Sequence, residues 1–206
     1  MADSTDTRVE FFFDIASPYS YLASTQLEGL ARRTGATIAW RPFLLGGLFS
    51  SIGNQAPATL KPRGAYMGRD LQRWAKRYQV PLSWPSRFPI NTVKAQRMLL
   101  TLRQAKGDDA VAELAAAFFV AYWADDRDVS DLATLTEVAT GAGFDGAALA
   151  ERTQDPAIKD ALKEATAEAE ERGAFGAPTF FVGGEMYFGN DRLLLLEDAL
   201  QADGEA

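Results

Sequence analysis

The residues in this sequence with the clearest chemical potential are two serines, Ser17 and Ser20, which flank a Pro18-Tyr19 pair. Ser17 precedes a proline and suits the N-cap of a helix, where free backbone N–H groups and the helix dipole favour an anion. A serine without a base partner is a poor nucleophile, but its hydroxyl is a good hydrogen-bond donor. The segment therefore predicts a site that holds an anion and does not itself attack a substrate.

The 206 residues include no cysteine and no histidine. The lack of cysteine excludes disulfides, thiolate metal sites, iron–sulfur clusters and cysteine nucleophiles. The lack of histidine excludes Ser-His triads, histidine acid–base catalysis and the usual zinc sites. Any nucleophile stronger than a hydroxyl, a carboxylate or a lysine must therefore arrive with a bound small molecule.

Charge is unevenly distributed along the chain. The formal net charge of −7 argues against a nucleic-acid binder, yet residues 50–104 carry ten basic residues against one acid. This segment is either a positive rim that attracts an anionic small molecule or the solvated face of amphipathic helices. No apolar run approaches the roughly 18 residues of a membrane helix. Residues 1–7 lack a signal-peptide pattern, so we expect a cytoplasmic protein with a short disordered tail and no membrane contact.

The elements that position the serine pair form a β-α-β unit. Residues 8–15 are aromatic and apolar and predict a strand, which leads directly into Ser17 and Pro18. Apolar residues then recur at helical spacing up to Gly35, and residues 36–43 predict a second strand. Parallel strands joined in this way need a right-handed crossover.

Helices dominate the middle of the sequence. Residues 46–62 are rich in Gly, Pro, Ser and Asn and predict a loop, and the proline-rich residues 81–89 predict an extended segment. Helical periodicity is found in residues 64–79, 92–106, 109–124, 131–141, 147–153 and 156–172. The last part of the chain predicts a strand at 178–182, a Gly183-Gly184 turn, a return strand at 185–188 and a helix that begins at 189–191.

This order of elements, β-α-β, then helices, then α-β-β-α, is the thioredoxin arrangement. We expect an α/β fold in which residues 8–45 and 155–206 form a thioredoxin-like domain and residues 46–154 an all-helical insertion. Redox members of this fold carry Cys-x-x-Cys where Ser17 and Ser20 stand here, so dithiol chemistry is excluded while the anion-binding geometry is kept. Ser17 is then either a plain helix cap or the donor to a bound thiolate, such as that of glutathione.

Four segments resemble the 2-hydroxychromene-2-carboxylate isomerase family and its relatives, the kappa-class glutathione transferases, within the DsbA-like branch. They are FFFDIASPYSYLA (11–23), GNQAPATLKPRGAYMGRDLQRWAKRY (53–78), PLSWPSRFPIN (81–91) and FGAPTFFVGGEMYFGNDRL (175–193). The DLQRWA run and the FGNDRL ending are more similar to the isomerase than to the transferase. The resemblance implies a homodimeric, glutathione-dependent isomerase of an aromatic carboxylate, acting in aromatic hydrocarbon catabolism.

The resemblance also implies roles for particular residues. Ser17 matches the residue that hydrogen-bonds the glutathione sulfur. Ala177, before an expected cis Pro178, matches the residue whose backbone pairs with the cysteinyl part of glutathione. Asn190 and Asp191 match the pair that meets the γ-glutamyl end. The alternative roles are a strand-opening proline at Pro178 and a helix N-cap at Asn190 and Asp191.

Asn54 and a cation at Lys61 or Arg63 match the groups that contact the glycyl end of glutathione and the substrate. Arg63 stands where the family usually has a lysine before Gly-x-Tyr. An arginine binds a carboxylate bidentately but cannot donate a proton as a lysine can. The following aromatic residues belong either to the wall of a substrate pocket or to the core: Trp40, Phe43, Phe49, Trp84 and Phe88.

Three other interpretations stay open. A kappa-like transferase would use the same site to conjugate glutathione permanently to an electrophile. A redox-dead binding protein of the thioredoxin fold would lack both cysteines for a different reason and would not bind glutathione. An isomerase acting on another unsaturated acid would share every feature described above.

Overall fold

The computed structural model describes residues 8–56 and 60–202. A four-stranded sheet in the order β2-β1-β3-β4 lies at its centre. Its strands are β1 (Arg8–Phe13), β2 (Thr37–Pro42), β3 (Thr179–Val182) and β4 (Glu185–Phe188). β1 runs parallel to β2 and antiparallel to β3, and β3 and β4 form an antiparallel pair. This is the thioredoxin-like α/β fold that the sequence predicts.

Helices make up most of the rest of the described chain. They are α1 (Pro18–Thr34), α2 (Leu45–Ser51), α3 (Lys61–Tyr78), α4 (Val93–Lys106), α5 (Asp108–Trp123), α6 (Leu132–Gly141), α7 (Gly146–Arg152), α8 (Pro156–Glu171) and α9 (Leu193–Ala202), with a 3-10 turn (Asn190–Arg192) before α9. The tail predicted at residues 1–7 lies outside the described residues. None of the described helices is both long and apolar enough to cross a membrane.

The aromatic run of β1 is buried on both faces of the sheet. Phe11 stacks on Phe180 with ring centroids 5.1 Å apart, on one face. Phe12 lies on the other face, with Phe181 at 5.6 Å. Because helices cover both faces, β1 reads as a continuous apolar run and not as an alternating one. The strand that leads to Ser17 is therefore held rigidly in the interior of the sheet, between β2 and β3.

The predicted loop at residues 46–62 is wrong in its first part, where residues 45–51 form α2. Leu48 is fully buried in a cluster with Phe12 and Phe43. The Leu45 N–H donates to the Asp14 carboxylate at 2.8 Å, which anchors the first turn. Tertiary packing thus outweighs the weak helix propensity of the Gly and Ser residues in this segment.

Other boundaries differ from the predictions by a few residues. β1 ends at Phe13 and not at residue 15, because the chain then turns and the Ser17 N–H donates to the Asp14 carbonyl at 2.9 Å. α3 begins at Lys61, before the predicted residue 64, with a proline in its first turn. Residues 81–89 form no helix or strand, as predicted, and the Ser83 N–H donates to the Trp123 carbonyl at 2.7 Å.

The helices between α2 and α8 share a core with the sheet. One cluster of fully buried side chains contains Phe11 of β1, Leu27 of α1, Leu99 of α4 and Phe118 of α5. Residues 46–154 contain only helices and loops where they are described. The division into a thioredoxin-like domain and an all-helical insertion domain stays a prediction.

Candidate active site

Ser17 caps α1, which begins at Pro18 immediately after the turn that follows β1. Its backbone is extended (φ −94°, ψ 115°), and its hydroxyl oxygen accepts the Ser20 N–H at 3.1 Å. The same hydroxyl donates to the Ala177 carbonyl at 2.9 Å, across 160 residues of sequence. Ser17 is only 3% exposed. The predicted capping role is confirmed, and the hydroxyl also faces the segment that the sequence analysis paired with glutathione.

Ala177 lies in a bent segment that leads into β3. The Ala177–Pro178 peptide bond is cis, as expected from the sequence. The carbonyls on either side of Ala177 have donors of their own, from the Thr179 hydroxyl to Gly176 at 2.9 Å and from the Gly189 N–H to Pro178 at 3.0 Å. The Ala177 N–H has no hydrogen-bond partner among the described residues. Ala177 thus offers an unused backbone donor beside the Ser17 hydroxyl.

Asn190 and Asp191 follow directly from this segment through Gly189. Asn190 is buried, and its Nδ2 atom has no hydrogen-bond partner within residues 8–56 and 60–202. The Tyr78 hydroxyl lies near this amide but outside hydrogen-bond geometry. Burial raises the pKa of Tyr78, and the Asn190 amide partly offsets that rise. Asp191 is partly exposed and pairs with Arg192. Neither Asn190 nor Asp191 caps α9, so the alternative capping role is wrong for both.

Gly189 has a positive φ of 99°, and an added Cβ there would lie 2.7 Å from the Asp191 carboxylate. Because only glycine adopts this backbone conformation readily, Gly189 lets the Asp191 carboxylate of the 3-10 turn approach the backbone closely. Asn190 and Asp191 therefore follow one and two residues after the hydrogen bond that ties Gly189 to Pro178.

The other predicted binding residues lie farther from Ser17. Asn54 donates through Nδ2 to the Phe175 carbonyl at 3.3 Å, two residues before Ala177, so the structure brings it to the site. Lys61 and Arg63 lie in the exposed first turn of α3 and form no ion pair with a described residue. The structure does not bring either cation into contact with Ser17.

The basic segment divides into two groups. In α3 the following cations are exposed and form no ion pair within the described chain: Lys61, Arg63, Arg69, Arg73, Lys76 and Arg77. In and around α4, Arg87 pairs with Asp128 at 3.4 Å and Arg103 with Asp108 at 3.0 Å. The free positive charge that the sequence indicated is therefore concentrated on α3, which packs against α1.

Tyr19 and Ser20 have structural roles. The Tyr19 hydroxyl donates to Asp70 of α3 at 2.9 Å and ties α3 to the start of α1. Burial, and then the bond to Asp70, raises the pKa of Tyr19 far above its ordinary value, so it stays a neutral donor. The Ser20 hydroxyl is fully buried without a partner in the described structure. Packing and helix formation therefore account for both residues.

Asp14 is a site residue that the sequence analysis missed. It is 1% exposed, and its carboxylate accepts from the Ala16 N–H at 2.9 Å, the Thr92 hydroxyl at 2.6 Å and the Leu45 N–H at 2.8 Å. Burial raises the pKa of Asp14, and these three hydrogen bonds oppose the rise. The carboxylate thus ties the turn before Ser17 to α4 and α2. An acid at the end of an apolar strand was the available signal.

Of the aromatic candidates, Trp40 and Phe43 belong to the core, since both are buried. Trp84 is 45% exposed, and its ring lies 4.8 Å from that of Phe88. Both rings pack on Trp123, whose indole N–H donates to the Ile15 carbonyl at 2.8 Å. Trp84 and Phe88 therefore form an aromatic ledge, connected through Trp123 to the turn before Ser17.

No cluster of acidic side chains suited to a metal occurs in the part of the chain that the structure describes. What the site offers is a hydroxyl donor at a helix N-terminus and an unused backbone N–H. A buried amide donor and a surface of free cations on α3 complete it. These groups suit an anionic peptide whose charged atom lies at Ser17.

Comparisons with known proteins agree with this fold. Residues 8–201 match the family of DSBA-like thioredoxin domains. A 2-hydroxychromene-2-carboxylate isomerase of Sphingobium xenophagum is 36% identical over 194 residues, covering 93% of this chain and 97% of that protein. Glutathione S-transferase kappa 1 of Caenorhabditis elegans is 32% identical over 206 residues, covering 94% and 91% of the two chains. A solved structure of a selenomethionine 2-hydroxychromene-2-carboxylate isomerase superposes with a TM-score of 0.82 at 34% identity, covering 95% of each chain.

Proposed function

The chain belongs to the DSBA-like thioredoxin domains and, within them, to the 2-hydroxychromene-2-carboxylate isomerase family with its kappa-class relatives, and from this premise we propose a glutathione-dependent isomerase. The isomerase class follows from the relatives. The substrate that we propose is 2-hydroxychromene-2-carboxylate, interconverted with trans-o-hydroxybenzylidenepyruvate. The observation that carries the proposal is the Ser17 hydroxyl, held at a helix N-terminus beside Ala177 in a chain with no thiol of its own.

The residues around Ser17 suit the thiol peptide glutathione. When bound, glutathione supplies a thiolate that adds reversibly to the unsaturated acid, so that the ring opens, the bond rotates and the thiol is returned unchanged. Ser17 lowers the pKa of that thiol by donating to the ionised sulfur, and the positive end of the α1 dipole acts in the same direction. The unpaired Ala177 N–H is available for the cysteinyl carbonyl, as in strand-like peptide recognition.

The two ends of the peptide have candidate partners with suitable charge. The buried Asn190 amide, which lacks a partner in the described structure, is a donor for the γ-glutamyl carboxylate, and Asp191 accepts from its ammonium. Asn54 and either Lys61 or Arg63 bind the glycyl carboxylate or the substrate carboxylate. The free cations on α3 would attract both anions toward this face of the molecule.

The aromatic ledge of Trp84 and Phe88 is our candidate for binding the substrate ring. Aromatic rings pair with their centroids about 4.5–7 Å apart, and the half-exposed Trp84 leaves one ring face open for such a partner. Trp123 fixes the ledge relative to the turn that carries Ser17. The chain thereby orients both reactants, which lowers the entropic part of the barrier.

The direct test is the chromene interconversion, followed by ultraviolet absorbance with and without glutathione. We expect a rate that saturates with glutathione while the free thiol concentration stays constant over many turnovers. A full rate without glutathione would contradict the proposed role of glutathione as cofactor. A rate that saturates with glutathione only on a different unsaturated acid would overturn the proposed substrate and leave the cofactor standing.

The kappa-class transferase is the second candidate function, because a kappa-class relative covers nearly the whole chain. A transferase would form a stable conjugate from a chlorinated nitroarene and consume glutathione stoichiometrically. A redox-dead binding protein would give no heat of binding when glutathione is titrated into it in a calorimeter. The homodimer that the resemblance implies is a further proposal, and light scattering in solution tests it.

A further inference from the structure

The single proton of the Ser17 hydroxyl is already committed. A serine hydroxyl donates one hydrogen bond, and here that bond goes to the Ala177 carbonyl at 2.9 Å. One lone pair of the same oxygen accepts the Ser20 N–H at 3.1 Å. In this arrangement Ser17 has no proton to offer to a bound sulfur, although the proposed function requires one.

Ser17 cannot simply turn away from Ala177 without a replacement donor. No other donor to the Ala177 carbonyl is found among the described residues, and the neighbouring carbonyls of Gly176 and Pro178 have donors of their own. Ala177 is partly buried, so its carbonyl, once it lost the Ser17 hydroxyl, would have to recover a donor from solvent or from a ligand. The hydroxyl is therefore released only when something else donates to Ala177.

We propose that Ser17 exchanges partners when a cysteinyl peptide binds: the peptide's cysteinyl N–H takes over the Ala177 carbonyl, and the Ser17 hydroxyl rotates to the sulfur. This inference rests on the proposed function and adds to it a condition on the ligand. Only hydrogen bonds change partners in this step, and the proton lost on thiol ionisation goes to water. Ser20 N–H keeps its bond to the Ser17 oxygen throughout.

The exchange couples recognition of the peptide to activation of its thiol. In γ-glutamyl-cysteinyl peptides an amide N–H is attached to the carbon next to the one that bears the thiol. Such a peptide releases the Ser17 proton, and its thiol is then stabilised as a thiolate. A simple thiol such as ethanethiol, with no hydrogen-bond donor on that carbon, leaves the hydroxyl on Ala177. Ser17 thereby discriminates between thiols by whether the carbon next to the thiol-bearing carbon carries a hydrogen-bond donor.

The test compares glutathione with its depsipeptide analogue, in which an ester oxygen replaces the cysteinyl N–H. For each ligand the pKa of the bound thiol is measured from its ultraviolet thiolate absorbance under saturating conditions, relative to the pKa of the same ligand free in solution. Calorimetry gives the affinities. The proteins are the wild type, Ser17→Ala and the control Ser20→Ala, whose hydroxyl has no partner in the described structure. Ser17→Gly serves as a second variant because glycine is well tolerated at a helix N-cap.

On the wild type and on Ser20→Ala we expect the bound thiol of glutathione to be more acidic than that of the depsipeptide by about one unit, a tenfold difference in ionisation. On Ser17→Ala and Ser17→Gly we expect the two ligands to show the same shift. The exchange would be overturned if the wild type shifted the thiol pKa of glutathione and of the depsipeptide equally. It would also be overturned if the Ser17 variants kept the wild-type difference between the two ligands. Either result would leave the proposed function standing. Failure of glutathione to bind at all would overturn the proposed function and the exchange with it.

Discussion

Replacement of Ser17 by alanine removes the hydroxyl that caps α1 while leaving the backbone able to form a helix. The variant loses the bond to Ala177 at 2.9 Å and the cap on Ser20 N–H at 3.1 Å. A hydrogen bond to a charged group contributes about 1.5–3 kcal/mol. Since one pKa unit corresponds to about 1.36 kcal/mol, the pKa of the bound thiol should rise by about one to two units. Since a thiol with a pKa of about 8.5 is only about 3% ionised at pH 7, we expect the rate of isomerisation at neutral pH to fall about 10- to 30-fold.

The pH profile separates this effect from a general loss of structure. An unperturbed cysteine thiol ionises with a pKa of about 8.5, so the Ser17→Ala rate should rise toward that pH while the wild-type rate has already levelled off. The loss should therefore shrink as the pH increases. Removal of the cap alone costs about 0.5–2 kcal/mol of stability, which urea denaturation measures independently.

Ser20→Ala is the matched control for this prediction. It removes a hydroxyl three residues away that is equally buried but has no partner in the described structure. We expect its rate and pH profile to match those of the wild type. A Ser17→Ala enzyme with the wild-type rate at neutral pH would refute our reasoning, and so would a loss that is the same at every pH. Ser20→Ala losing as much activity as Ser17→Ala would assign the effect to packing.

Four further predictions concern the rest of the site and the fold. Asp14→Asn should lower the free energy of unfolding in urea by about 1.5–3 kcal/mol, because the amide oxygen replaces only one of the two accepting carboxylate oxygens and the amide nitrogen would face a donor without accepting from it. The substitution should also slow isomerisation. Burial raises the pKa of Glu10, but the hydrogen bond and charge of Arg172, with the charges of Arg41 and Arg8, outweigh this and lower the net pKa below 4.5. The stabilisation by Glu10 is therefore present above pH 4.5 and is lost as the pH falls through the folded-state pKa. The stability advantage of the wild type over Glu10→Gln, measured by urea denaturation across this range, should therefore shrink with acidification; a constant difference would contradict the assignment. Gly146→Ala should destabilise the chain by about 1–3 kcal/mol without changing the turnover of folded enzyme, because the added Cβ would lie 2.2 Å from a backbone oxygen. Trp84→Ala should raise the KM for the aromatic acid about 2- to 10-fold, the worth of one aromatic pair, with the calorimetric affinity for glutathione unchanged.

The sequence predicts the local half of the active site well. The strand, the Ser17-Pro18 cap and the glycine that ends α1 are specified by neighbouring residues, and Gly35 has the left-handed φ of 73° that its position at the helix end indicates. The order of elements then identifies the fold. These features depend on patterns within a few residues, which is why they can be read from a single sequence.

The distant half of the site could not be derived from local pattern. The Ser17–Ala177 hydrogen bond joins residues 160 positions apart and follows only from the fold. Asp14 resembles a solvent-exposed acid at a strand end, and its burial becomes understandable only with the donors of Thr92 and Leu45, which lie 78 and 31 positions away. α2 was missed for the same reason, since the contacts of Leu48 and not its own propensity make the segment helical.

The use of a neutral hydroxyl at Ser17 suits a reaction in which the same thiolate must both add and leave. A lower thiol pKa increases the ionised fraction and makes the sulfur a better leaving group, but it reduces the nucleophilicity of the thiolate with a Brønsted slope of about 0.4–0.5. A cation in contact with the sulfur would lower the pKa further and weaken the addition step. The free cations of this face lie on α3 and form no contact with Ser17, while the donor nearest the sulfur position is uncharged. A hydroxyl released by the peptide itself lowers the thiol pKa moderately, and only when the correct thiol is in place.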